Sequence, residues 1–157
     1  NQPGCYKDVK DTSIVAQFKI KKSLESDFLF KKTINNLYFI AWTTTPWTLP
    51  SNTALAVGKN IDYLLVETLN KYTGKNITII IAKDLAHKYF SDDNSKLNFE
   101  NYNIGSKEIP FNIISEFKGE KLENIRYEQL LPYSLPIDGD AFKVILADLL
   151  PQKMGQG

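Results

Sequence analysis

The chain has one cysteine, one histidine and one methionine in 157 residues. A single thiol, Cys5, rules out an internal disulfide and a cysteine-rich zinc site, and it suits a reducing compartment. A single imidazole, His87, leaves nothing to spare for a Ser/His/Asp set or a metal cluster. Apolar runs stay well short of the roughly 20 residues that span a bilayer. The first residues lack the pattern of a signal peptide, so the chain is read as cytoplasmic, with no membrane contact. Neither sign of charge is in excess. With 19 Lys plus Arg against 18 Asp plus Glu, a broad basic nucleic-acid footprint is excluded and any such contact must be local. Phosphate loops, GxGxxG turns, internal repeats and low-complexity linkers are also missing.

What is present is enough apolar content, 43%, for one domain with a proper core. Periodicity favours strands. "SIVAQFKIK" alternates Ile14, Ala16, Phe18 and Ile20 with polar neighbours. "NNLYFIAWTTT" becomes β-branched and aromatic over residues 37–45 and reads as a central strand that must end at Pro46, which has no N–H to donate. "TALAVG" and "DYLLVETL" read as two strands joined through a turn at residues 58–61. The unbroken apolar run of "NITIIIA" predicts burial on both faces. "FNIISEF", "LNFENYNIG" and "DAFKVILAD" read as further extended pieces, and "KGEKLENIRYEQLLPY" as a polar segment. Only "AKDLAHKYF" has helical spacing, which predicts a short surface helix with His87 on its solvated face. The expected fold is therefore mainly β (α+β): a closed or partly closed barrel with one or two short peripheral helices. Glu120, Glu123 and Glu128 read as a solvated face, because nothing fixes their separation for paired carboxylate chemistry.

One stretch stands apart. In "AWTTTPWTLPSN" the hydroxyls of Thr43, Thr44 and Thr45 cluster where a strand must stop, between Trp42 and Trp47. Threonine is a common strand residue, and that role alone would account for three of them. Strand ends that feed loops, however, are where binding groups are usually placed. Alternation along a strand lets only part of the cluster line one pocket. Pro46 and Pro50 stiffen the loop that follows, so that Thr48 and Asn52 can present a hydroxyl and an amide at fixed positions. Trp47 offers a flat wall suited to a base or ribose.

"WTTTPWTLPSNTALAVGKNIDY" closely resembles the threonine-rich signature of the editing domain of isoleucyl-tRNA synthetase. The related domains of the valine and leucine enzymes typically place an arginine where this chain has Thr45 and lack the following Trp-Thr pair. The resemblance extends through "YKDVKDTSIVAQFKI", "FKGEKLENIRYEQLLPY" and "GDAFKVILAD", and so covers the chain to about Asp148. It implies a β-barrel-like editing domain of a class I synthetase, one that hydrolyses valine misattached to tRNA(Ile). A hydrophobic pocket separates ligands that differ by one methylene by only about 10- to 200-fold, with isoleucine and valine in this enzyme class as the standard case, so a second sieve is needed. By resemblance, Thr43, Thr44 and Thr45 contact the aminoacyl ester, its amino group and the terminal ribose. Thr48 touches the small side chain, Trp47 borders the terminal nucleotide, and Asn52 holds the loop or the substrate. The implied partners are the 3′ end of tRNA(Ile) carrying valine and the remaining domains of the parent synthetase; no cofactor or metal is implied in this domain. The alternative reading is a non-catalytic β-barrel module that binds a nucleic-acid 3′ end by stacking.

The chain departs from the family after Asp148. There the family continues D-F-V-T-T-E-D-G-T-G, then supplies a histidine that limits pocket size and an aspartate that anchors the substrate's amino group, whereas this chain reads "LLPQKMGQG". Deleting one T from GAT TTT GTT ACC ACA GAA GAT GGG ACA GG yields codons for this chain's own residues. Residues 1–148 are accordingly read as a C-terminally incomplete editing domain and residues 149–157 as a frameshifted, poorly packed tail. The fragment is expected to be weakly active or inactive.

Overall fold

The structure, a computed structural model, describes residues 13–133 and 139–147. Cys5, Asp148 and the tail at 149–157 lie outside the described residues. The alternating pattern around Phe18 forms β1 (Ile14–Lys19), with Ala16 and Phe18 turned into the core. It pairs antiparallel with β2 (Asn36–Thr43), setting Phe18 opposite Phe39 and Ile14 opposite Thr43. After β3 (Ala54–Gly58) come β4 (Asp62–Leu69), β5 (Asn76–Ala82) and β6 (Phe111–Lys118). The large sheet has the order β1-β2-β5-β4-β6, parallel only between β2 and β5. The last strand, β7 (Lys143–Ala147), runs parallel to β3 in a separate two-stranded sheet.

Both faces of the large sheet are covered, which explains the apolar run of β5. Ile80 joins a core shared with Phe18, Phe39, Leu65, Leu122, Ile125, Tyr127 and Val144. Ile77, Ile79 and Ile81 face a second cluster with Leu64, Val66, Phe90 and Phe111. Among the described residues there are two short α-helices, α1 (Asp27–Phe30) and α2 (Lys83–Ala86). The latter is the helix expected around His87, which caps its C-terminus and is exposed. Among the described residues no helix is long and apolar enough to cross a membrane.

Three expectations need correction. A closed barrel does not form among the described residues: β1 and β6 remain edges of the large sheet, because the loop after β2 directs β3 away to pair with β7. "LNFENYNIG" is not extended. It holds the 3-10 turn Phe99–Asn101, whose start is capped when the Asn98 side chain accepts from the Glu100 N–H, as asparagine readily does at such positions. The segment read as polar after β6 contributes Leu122, Ile125 and Tyr127 to the core, all with no exposed surface.

Gly119 opens that segment. A Cβ there would lie 2.1 Å from the Gly58 carbonyl oxygen and 2.9 Å from the Tyr63 ring. The close approach lets the Gly119 N–H donate to the Ile61 carbonyl at 2.9 Å, which ties the end of β6 to the turn between β3 and β4.

Candidate functional site

Strand β2 ends at Thr43, two residues earlier than its composition predicts, because the β1 register stops at the Ile14–Thr43 pair. Thr44 bends, and Thr45 (φ −119°, ψ 65°) leads into the 3-10 turn Pro46–Ser51, with proline at its first position as favoured there. The threonines close this corner on themselves. The Thr45 N–H donates to Thr43 Oγ1 at 3.0 Å, and the Thr48 N–H and Thr48 Oγ1 both donate to the Thr45 carbonyl, at 3.0 and 2.8 Å. This places Thr43 Oγ1 3.2 Å from Thr45 Oγ1, which is 3.4 Å from Thr48 Oγ1. Three hydroxyls thus form a chain along the corner, and Thr44 does not join it.

Beside the corner lies a cavity of about 430 Å³, lined by Thr43, Thr48 and Asn52 over a floor that includes Phe18, Ala41 and Leu55. Among the described residues none of the lining side chains is ionisable. Of the residues singled out in the sequence, Thr43, Thr48 and Asn52 meet at this cavity and Thr45 reaches it through its hydroxyl contacts. Thr44 and Trp47 lie outside the lining, and Trp47 is 70% exposed on the outer side of the loop. Glu120, Glu123 and Glu128 are exposed, and Glu128 pairs with Lys19 at 3.2 Å, so they form no acid–base pair. Among the described residues no three His, Cys, Asp or Glu side chains come together as metal ligands.

Sequence reasoning did not anticipate Tyr127. Its hydroxyl donates to Asn52 Oδ1 at 2.7 Å across 75 positions of sequence, while Asn52 Nδ2 donates to the Ala54 carbonyl at 2.9 Å. Both ends of the Asn52 amide are therefore engaged by the protein. The tyrosine sits in a charged stretch, "NIRYEQ", with no period to mark it as buried. Its ring packs edge-on against Phe18 at 5.3 Å, and burial pushes its phenol up to about 12. A phenol whose folded pKa is raised contributes stability that is complete below the unfolded value of 10.0 and is lost as pH rises toward 12. Thermal melts across pH 9 to 12 should therefore fall less steeply in Tyr127→Phe than in the wild type. Tyr63 and Tyr89, also raised by burial, keep part of the slope in both.

The fold is similar to that in the crystal structure of GlLeuRS-CP1, at a TM-score of 0.60 and 17% identity, over 93% of this chain and 50% of that one. The molecule is an α+β domain with that fold and with a hydroxyl-lined cavity at the end of its second strand. No protein-family model matches the chain. Isoleucine–tRNA ligases do match it over all 157 residues, with 53% identity in Cytophaga hutchinsonii and 49% in Bacteroides fragilis. The enzyme of Clostridium tetani matches at 36% over 152 residues. The chain matches a segment of these isoleucine–tRNA ligases and spans 13% of the length of the first two relatives.

Proposed function

We propose that this chain is the editing module of an isoleucine–tRNA ligase and that the threonine corner hydrolyses valine misattached to the 3′ end of tRNA(Ile). The observation that carries this reading is the chain of three linked hydroxyls at the rim of a cavity whose described lining carries no charge. An aminoacyl ester is already labile. A catalyst gains most by fixing water, carbonyl and ribose, and by donating to the oxygen on which charge develops. Water adds to the ester carbonyl, the bond to the ribose oxygen breaks, one proton of the water passes to that oxygen, the other is released to solvent, and valine leaves as its carboxylate. Thr43 and Thr45 serve the ester and the ribose and Thr48 meets the side chain at the cavity, while Thr44 and Trp47, outside its lining, meet the amino group and the terminal nucleotide only where these extend past the rim. Because both ends of its amide are used within the protein, Asn52 holds the loop instead of the substrate. No cofactor or metal is required. Among the described residues no ionisable side chain lines the cavity, and on this reading the 157-residue chain by itself deacylates slowly compared with a full-length ligase.

Calorimetry with a non-hydrolysable valyl-adenosine amide tests the reading. Binding should exceed that of the isoleucyl amide and of adenosine, and Thr43→Val with Thr48→Val should weaken it by about tenfold, the worth of one or two net hydrogen bonds. Equal affinity for all three ligands would sink the proposal and favour a module that merely stacks a nucleic-acid end on the exposed Trp47.

A further inference from the structure

We infer that Tyr127 is a positioning residue for the threonine corner, acting through Asn52 and resting on the function proposed above for that corner. Four residues form a closed ring here. Asn52 is bonded to Thr53, whose carbonyl accepts from the Phe142 N–H at 2.6 Å; the Phe142 carbonyl accepts from the Tyr127 N–H at 3.0 Å; and the Tyr127 hydroxyl returns to Asn52 at 2.7 Å. The ring joins three distant parts of the chain at the point where the loop carrying Thr48 ends.

Its polarity is determined. The Ala54 carbonyl can only accept, so the Asn52 amide must turn Nδ2 toward it and Oδ1 toward Tyr127, which must then donate. A phenol held neutral by burial remains a donor throughout the neutral range. Phe142 has φ 61°, a left-handed conformation that costs a bulky residue energy and persists where surrounding contacts over-determine it. In that conformation its N–H and carbonyl are both used in the ring, while its ring packs edge-on to Tyr127 at 6.2 Å. The last turn of the loop closes as the Asn52 N–H donates to the Leu49 carbonyl at 3.1 Å, so the orientation of Asn52 sets where the turn with Thr48 stands against the cavity.

Two near-isosteric changes test this. Tyr127→Phe removes the donor and keeps the ring; Asn52→Asp keeps the volume but sets an acceptor against the Ala54 carbonyl. The direct readout is the methyl NMR signal of Thr48 in the 157-residue chain without ligand, a signal that a loss of general stability would not move. Both variants should shift and broaden it while methyl signals of the β5 isoleucines stay in place. Both should also bind the valyl-adenosine amide about three- to tenfold more weakly, the effect of one net hydrogen bond, and the double variant should lose no more than either single one. An unmoved Thr48 signal in Tyr127→Phe would overturn the inference. Should that variant not fold, the same outcome in Asn52→Asp would do so. If the wild type fails to bind the amide, the proposed function fails, while the ligand-free spectra still decide the role of Tyr127.

Discussion

Phe18→Ala is expected to cost about 3–5 kcal/mol, the range for deleting a buried aromatic ring from a core that relaxes only partly. Phe18 is 1% exposed near the end of β1, stands opposite Phe39 in the register with β2 and packs edge-on against Tyr127. It also lines the cavity beside the threonines. Removing the ring would therefore leave a void continuous with that cavity, which neighbouring strands held by ladder hydrogen bonds cannot close. Urea unfolding should show a large drop in midpoint, whereas Trp47→Ala, on a side chain 70% exposed, should stay within about 0.5 kcal/mol of the wild type. A Phe18→Ala protein as stable as the wild type would mean that the two layers do not share the core described.

Gly119→Ala should be the more informative of the two large effects, because a single methyl produces it. The added Cβ would stand 2.1 Å from a backbone oxygen of Gly58, and backbone in a strand-to-turn junction cannot step aside as a flexible side chain would. Overpacking of this kind costs about 1–3 kcal/mol. Here the upper part of the range is expected, since relief requires breaking the Gly119–Ile61 or Glu120–Lys59 backbone bonds. The check is the unfolding midpoint beside that of Lys121→Ala, an exposed neighbour expected to change little. Equal midpoints would show that the β3–β4 turn and the end of β6 do not touch.

Reading the fold from sequence succeeded where a period was strong. The alternation of β1, the aromatic and apolar run of β2 and the double-sided apolar run of β5 each follow a simple rule of burial, and each strand forms there, with β2 stopping two residues short of its expected end. Leu122, Ile125 and Tyr127 escaped because they are spaced neither as a helix nor as a strand: they hang from a 3-10 turn and an isolated bridge between Ile20 and Tyr127. The partition of strands between two sheets escaped as well. β3 and β4 are joined by a tight turn, which suggests a hairpin, yet they pair with β7 and with β5 and β6. Nothing local distinguishes the two outcomes. Strand pairing is settled by which faces can be buried together across the whole chain.

The candidate site divides along the same line. From the sequence alone came the threonine cluster and the proline-stiffened loop, since hydroxyl content, missing N–H groups and fixed φ angles are properties of the residues themselves; the point where β2 ends was set two residues earlier by its pairing with β1. The tertiary structure alone decided which hydroxyls meet, leaving Thr44 out of the chain and Trp47 off the cavity wall. It also decided that Asn52 is bound on both sides by the protein. These depend on a corner only a few residues long and on a tyrosine 75 positions away. A hydrogen bond of that span has no signature in local composition, because it exists only once the core has brought the two segments together.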